Sequence, residues 1–118
     1  MAELLRENQD LVLRLSTLEK VEAIHGDVRV PWINVQSITI KERIMDMIHG
    51  MRLPGTSIPG LLAVGTFISK DGRTFAVIHH DTQGGLVVQL RGESYDRLVV
   101  GFDDPQAVLT CLEHSASD

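Results

Sequence analysis

The region from residue 61 to residue 102 narrows the possible folds most sharply, because short alternating segments and tight turns fill it completely. Apolar residues alternate over 61–69, and the pattern resumes over 74–80 after Lys70-Asp71-Gly72-Arg73. It recurs over 86–90 and over 98–102. Alternation with a period of two predicts strands, and Asp-Gly favours a two-residue hairpin turn. Sequential strands joined by short turns predict an antiparallel sandwich or barrel.

The first half of the chain is less regular. Alternating leucines predict a strand that begins at Asp10. Further along the chain, a second, short strand is predicted just before Pro31, which ends it. In order, the patterns predict a strand over 10–16, one or two helical turns over 17–25, strands over 28–30 and 35–41, and either a short helix or a broad loop over 42–51.

The chain ends in a predicted helix. Asp103-Asp104-Pro105 opens it, since Asp is a favoured N-cap and Pro suits the first helical position. Val108, Leu109 and Leu112 form an apolar stripe, and Cys111 lies at its edge. We therefore predict a mainly β (α+β) protein: an antiparallel barrel or sandwich of about seven strands capped by a C-terminal helix. This is a pleckstrin-homology-like (PH-like) architecture. Residues 1–9 are predicted to be loose, 10–114 to form the single domain and 115–118 to fray.

Composition narrows the classes of partner. With 118 residues the chain fits one domain, and its formal net charge is −5 with scattered basic residues. Nucleic acids and anionic membranes attract basic patches, so both are disfavoured. No apolar run approaches the ~20 residues of a membrane span. The N-terminus lacks the pattern of a signal peptide, so we expect a cytoplasmic protein. The single cysteine, Cys111, cannot form an intrachain disulfide.

Three blocks of sequence also resemble a family. Residues 26–32 with a short strand after them, residues 52–60 with a hairpin after them, and Asp104-Pro105 at the start of the last helix resemble an uncharacterised bacterial family with PH-like domains. The resemblance covers roughly residues 10–114. It implies a PH-like fold, whose members serve in lipid-headgroup, peptide and oligomerisation roles. Residues 17–27 contain only Lys20 as a base, which departs from the headgroup-binding pattern.

The loop over 54–60 is the most restricted backbone in the chain. Two Pro-Gly pairs bracket three residues, and each pair predicts a defined turn. Consecutive turn amides can form an anion-binding nest beside Arg52, with Gly55, Thr56 and Ser57 as its backbone. The alternative, which we favour, is a rigid crossover into the regular strands.

Two further groups of residues are candidates for function. Met47 and Met51 lie in an apolar segment, where flexible methionines mark either an adaptable contact surface or the closed end of the barrel. His79-His80-Asp81 could serve a small hydrolase-like site. Adjacent strand residues point to opposite faces, however, so we interpret them as strand-end residues. We predict no metal, no cofactor and no catalytic residue.

These observations favour a binding or assembly module over an enzyme. The expected partner is a protein or peptide that meets residues 44–60, with self-association through an open sheet edge as a variant. Anion or lipid-headgroup binding at Arg52 and the 54–60 loop is the alternative, followed by the hydrolase-like site at His79.

Overall fold

A computed structural model describes residues 2–16, 26–47, 51–52, 61–70, 72–79 and 82–116. The strands are β1 (Glu3–Glu7), β2 (Asp10–Arg14), β3 (Val28–Pro31), β4 (Val35–Lys41), β5 (Met51–Arg52), β6 (Leu61–Ser69), β7 (Gly72–His79), β8 (Gly85–Leu90) and β9 (Arg97–Gly101). The α-helix α1 spans Pro105–Ala116, and short 3-10 helices span Trp32–Asn34 and Ile44–Met47. Within these ranges, no helix combines the length and apolar character that crossing a bilayer requires.

The first three strands form a small antiparallel sheet, sheet A, in the order β1-β2-β3. A two-residue turn joins β1 to β2, with Asn8 in the left-handed region at a φ of 55°. Asn tolerates this conformation better than most residues, which suits a tight hairpin. In the ladder, Leu4 lies opposite Leu13 and Glu7 lies opposite Asp10.

The other strands form sheet B, in the order β4-β8-β9-β7-β6-β5. Its neighbours are antiparallel except β7 and β9, which pair in parallel. Here β9 inserts between β7 and β8, although it follows both in the sequence. The described residues thus contain nine strands where about seven were predicted, and one parallel pair where none was predicted. The mainly β class with a C-terminal helix is confirmed.

The two sheets pack face to face, as in a sandwich. The main apolar cluster joins the inward residues of sheet A to one face of sheet B, and α1 closes the cluster with its buried Leu112. The largest buried side chains that the central strands of sheet B contribute to this cluster are Phe75, Leu86 and Leu98. Because α1 packs beside β1, the helix lies along the margin of the sandwich and not over the centre of a sheet.

The opposite face of sheet B is buried as well. Ile44 is completely buried in a second cluster against that face, and Met47 packs at its edge. Gly85 lies opposite Gly101 in the ladder between β8 and β9, and Gly85 leaves room for this contact. A Cβ on Gly85 would lie 2.9 Å from Cγ1 of Ile44 and would overlap the carbonyl oxygen of Val100. Two-sided burial explains why β7 to β9 are apolar at consecutive positions.

The N-terminal segment differs from the prediction. Residues 1–9 were predicted to be loose, but β1 occupies most of them, and Ala2 and Leu4 are buried in the main cluster. The segment is ordered by pairing with β2, which a local pattern does not show. At the other end of the chain, Oδ1 of Asp104 accepts a hydrogen bond from the backbone N–H of Ala107 at 3.1 Å, so Asp104 is the predicted N-cap of α1. The helical turns predicted over 17–25 lie outside the described residues.

Candidate functional site

The residues predicted to form a site fall in three places. Met51 and Arg52 make up β5 at one margin of sheet B, where they pair with Ile68 and Phe67. Met47 is partly buried against the second cluster, so it contributes to packing. The remaining candidates of the loop, Gly55, Thr56 and Ser57, lie outside the described residues.

The histidine cluster is described only in part. His79 ends β7 and is half-buried, and its carbonyl oxygen accepts hydrogen bonds from the backbone N–H of Thr82 at 3.2 Å and from its Oγ1 at 2.9 Å. His80 and Asp81 lie outside the described residues. Across the described part of the chain, no group of three or more His, Cys, Asp or Glu side chains is placed to hold a metal ion.

A groove lies between β1 and α1. Its volume is about 480 Å³, within the range of about 300–1,000 Å³ that is typical of ligand sites. Consecutive residues of β1 line it, from both faces of the strand, so the groove runs along the strand's outer edge. The lining residues are Ala2, Glu3, Leu4, Leu5 and Arg6 on one side, and Phe102, Ala107, Val108, Cys111 and Leu112 on the other.

The edge of β1 beside the groove carries free backbone groups. β1 is the terminal strand of sheet A and pairs only with β2. The two-residue turn makes Glu7 and Asp10 a hydrogen-bonded pair, and hydrogen-bonded pairs alternate along an antiparallel ladder. The backbone N–H and C=O groups of Leu4 and Arg6 therefore point away from β2, into the groove. No other described strand bonds to them.

Arg6 supplies the positive charge of the groove. It shares the inward face of β1 with Leu4, and its guanidinium carbon lies 4.2 Å from the centre of the Trp32 ring. Its Nε and Nη1 atoms are shielded from solvent and have no hydrogen-bond partner among the residues that the structure describes. Such a group is uncommon in folded proteins and calls for an explanation. The stacking on Trp32 fixes the guanidinium in place without satisfying its N–H groups.

The nearby carboxylates do not serve Arg6, because they lie on the other face of sheet A. Glu7 accepts from Arg14 at 2.9 Å and from Arg29 at 3.2 Å, while Asp10 accepts from Arg29 at 3.0 Å. The hydrogen bond to Asp10, reinforced by attraction to Glu7, raises the pKa of Arg29 above its ordinary value against a smaller opposing effect of burial. This exposed network pairs Glu7 and Asp10 with arginines of the outer face, and no described carboxylate pairs with the inward guanidinium of Arg6.

The sequence did not indicate this groove. Glu3, Leu5 and Glu7 alternate with Leu4 and Arg6, so neither face of β1 is uniformly apolar, and the strand pattern is weak. The one local signal was Asn8, a residue suited to a tight turn between two strands. Cys111, predicted at the edge of the helix stripe, is exposed on the wall of the groove.

Comparisons of this chain with models of protein families, with curated proteins and with solved structures find no match.

Proposed function

We propose that this protein is a non-enzymatic binding module that accepts an extended peptide of a partner protein as a fourth strand of sheet A. The observation that carries the proposal is the open edge of β1 beside an apolar groove. In such β-strand addition, main-chain hydrogen bonds provide affinity, and pockets for alternate side chains provide specificity. The proposal moves the binding region from the predicted residues 44–60 to β1 and α1.

The dimensions and chemistry of the groove suit this ligand. At about 3.4 Å per residue, the five residues of β1 extend for about 17 Å, which matches a peptide of about five residues. The free N–H and C=O groups of Leu4 and Arg6 offer four hydrogen bonds to its backbone. Alternate side chains of the peptide would enter the apolar space between Leu4 and Leu112.

We also propose that the fold is PH-like. The two packed sheets and the C-terminal helix support this assignment, as does the resemblance over residues 26–32 and 52–60. The parallel pairing of β7 with β9 departs from an all-antiparallel arrangement. Peptide binding is one of the roles that PH-like folds serve, so the two proposals are compatible.

The test uses a neutral seven-residue peptide, acetyl-Thr-Gln-Thr-Leu-Thr-Val-Thr-amide, termed the Gln peptide, and amide NMR spectra of the protein. On binding, the amide protons of Leu4 and Arg6 should move downfield and exchange more slowly with solvent, because each gains a hydrogen bond. The amide of Leu5 already bonds to β2 and should change little. Shifts distributed without this alternation, or no shifts at millimolar peptide, would refute strand addition at β1.

A pair of variants on α1 locates the ligand in the groove. Ala107 is exposed on the groove wall, so Ala107→Trp should fill the space and abolish the shifts at Leu4. Thr110 is exposed on the same helix but does not line the groove, so Thr110→Trp is the matched control and should retain binding. Equal effects of the two variants would place the peptide elsewhere.

A further inference from the structure

We infer that Arg6 selects peptides that present a carboxylate on the inward face of the added strand. This inference rests on the proposed function, and it specifies the chemistry of the partner. Arg6 lines the groove, while its Nε and Nη1 atoms have no acceptor. A carboxylate in the groove would therefore meet the guanidinium at its remaining nitrogen, Nη2. A charge-assisted bond between Arg and a carboxylate is among the stronger hydrogen bonds in proteins.

The position of Arg6 favours recognition over a purely structural role. The side chain is held against Trp32, whose backbone N–H donates to the carbonyl of Gln9 at 2.7 Å and so anchors the ring to the hairpin. A cation fixed in advance loses little conformational entropy when its partner arrives. Glu7 and Asp10 are engaged by arginines on the outer face, and Glu3 also lies on that face and not beside the guanidinium. The inward face therefore offers an acidic ligand a prepared and unoccupied charge.

A second copy of this chain would not supply that carboxylate. The outward-pointing backbone groups belong to even-numbered residues of β1. Two copies that join antiparallel through this edge must therefore pair even residues with even residues. The face of Arg6 would then receive only Ala2, Leu4 and the partner copy's own arginine, because Glu3 and Glu7 are odd-numbered. A different, acidic chain fits the charge of the groove, and a second copy does not.

The register predicts the order of residues in the ligand. An antiparallel strand passes Arg6 first, then Leu4, then Ala2. The carboxylate should thus precede an apolar residue by two positions and a second apolar residue by four. The small side chain of Ala2 leaves room for a branched residue opposite it. Glu3 also lines the groove, but it lies on the outer face and away from the expected position of the carboxylate.

The decisive experiment compares two peptides that differ in one group. The Glu peptide, acetyl-Thr-Glu-Thr-Leu-Thr-Val-Thr-amide, is isosteric with the Gln peptide, and both are titrated calorimetrically into the full chain. We expect the Glu peptide to bind about 10- to 100-fold more tightly, since a hydrogen bond to a charged group contributes that factor. Arg6→Gln should remove the preference. Arg43→Gln is the control: it removes the same charge from a side chain that is 77% exposed and distant from sheet A in the sequence. This variant should keep the preference for the Glu peptide.

Each outcome is informative. If wild-type protein binds both peptides equally and the Leu4 and Arg6 amides shift, the inference is wrong and the proposed function stands. If neither peptide binds, the proposed function fails as well. A third peptide, with Lys in place of Glu, requires no variant and should bind more weakly than the Gln peptide. Equal binding of the Lys and Glu peptides overturns the inference even if Arg6→Gln fails to fold. Light scattering that shows a dimer with protected Leu4 and Arg6 amides would assign the groove to a second copy.

Discussion

Replacing Arg6 by methionine should make the protein more stable, although most substitutions of partly buried residues do the opposite. Methionine keeps an unbranched apolar stem against Trp32 and removes the guanidinium, whose Nε and Nη1 atoms have no acceptor in the described part of the fold. The unfolded chain hydrates these groups fully. Their removal therefore relieves a cost that exists only after folding.

The expected size follows from two opposing contributions. Each shielded N–H without an acceptor costs about 1–3 kcal/mol, and Arg6 has two such nitrogens. The stacked cation returns about 1–2 kcal/mol through its contact with the Trp32 ring. Since the side chain retains partial access to solvent, the cost falls toward the lower end of its range. We expect a net gain of about 1 kcal/mol, which corresponds to a Tm increase of about 4 °C for a chain of this length.

Urea unfolding followed by far-UV circular dichroism measures this gain. The midpoint should rise while the slope m stays unchanged, which shows that stability and not compactness has changed. Arg14→Met is the matched control, because Arg14 is 53% exposed and pairs with Glu7 across the outer face. This control should be neutral or destabilised by up to about 1 kcal/mol. If Arg6→Met is instead less stable than wild type by about 1 kcal/mol or more, the guanidinium has partners in solution, and the case for an unpaired cation collapses. Arg6→Met should also lose the preference for the Glu peptide, because the guanidinium that lowers stability is the group proposed to bind the carboxylate.

Further substitutions test three other features: the packing at Gly85, the cap of α1 and the charge network of the hairpin. Gly85→Ala should lower the free energy of unfolding by about 2–3 kcal/mol, because its Cβ would meet a backbone carbonyl that no rotamer change can move. Gly26→Ala is the control, since a Cβ there has open space and should be tolerated. Equal melting temperatures of the two variants would contradict the contact of Gly85 with Ile44. Asp104→Ala should cost about 1 kcal/mol by chemical denaturation, since it removes the cap of α1, and Asp104→Asn should recover most of it. Glu7→Gln should lower the free energy of unfolding slightly at low ionic strength, because it removes the charge that pairs with Arg14 and Arg29. In about 1 M NaCl, where charges are screened within about 3 Å, the substitution should have no effect. A loss of stability that persists in salt would show that this network is not merely electrostatic.

Several features could be predicted from local sequence because their causes are local. The hairpin predicted after residue 69 is present, since β6 and β7 pair as neighbours, but Gly72 pairs with Ser69 and so begins β7 instead of lying in the two-residue loop. Gly72 has a φ of 120° that other residues rarely adopt. Asp104-Pro105 opens α1 where the capping rule requires. Alternation located β2 and β4, since a strand exposes alternate residues to different environments, while short apolar runs between turn residues located the strands after residue 61. The segment over 42–51, left open between helix and loop, contains the 3-10 helix at Ile44–Met47 and then the first residue of β5.

The order of strands and the candidate site were decided only by the tertiary structure. Apolar alternation reports which face of a strand is buried, but it does not report which strand lies beside it. Hence β9 could not be placed between β7 and β8 from its sequence, nor could Ile44 be placed over Gly85. The groove depends on a strand edge and a cation that, among the described residues, have no neighbouring strand and no counterion. Both depend on which surfaces the rest of the fold covers. Local sequence patterns were therefore sufficient to predict a mainly β domain with a capped helix, whereas the position of the groove follows from three-dimensional packing.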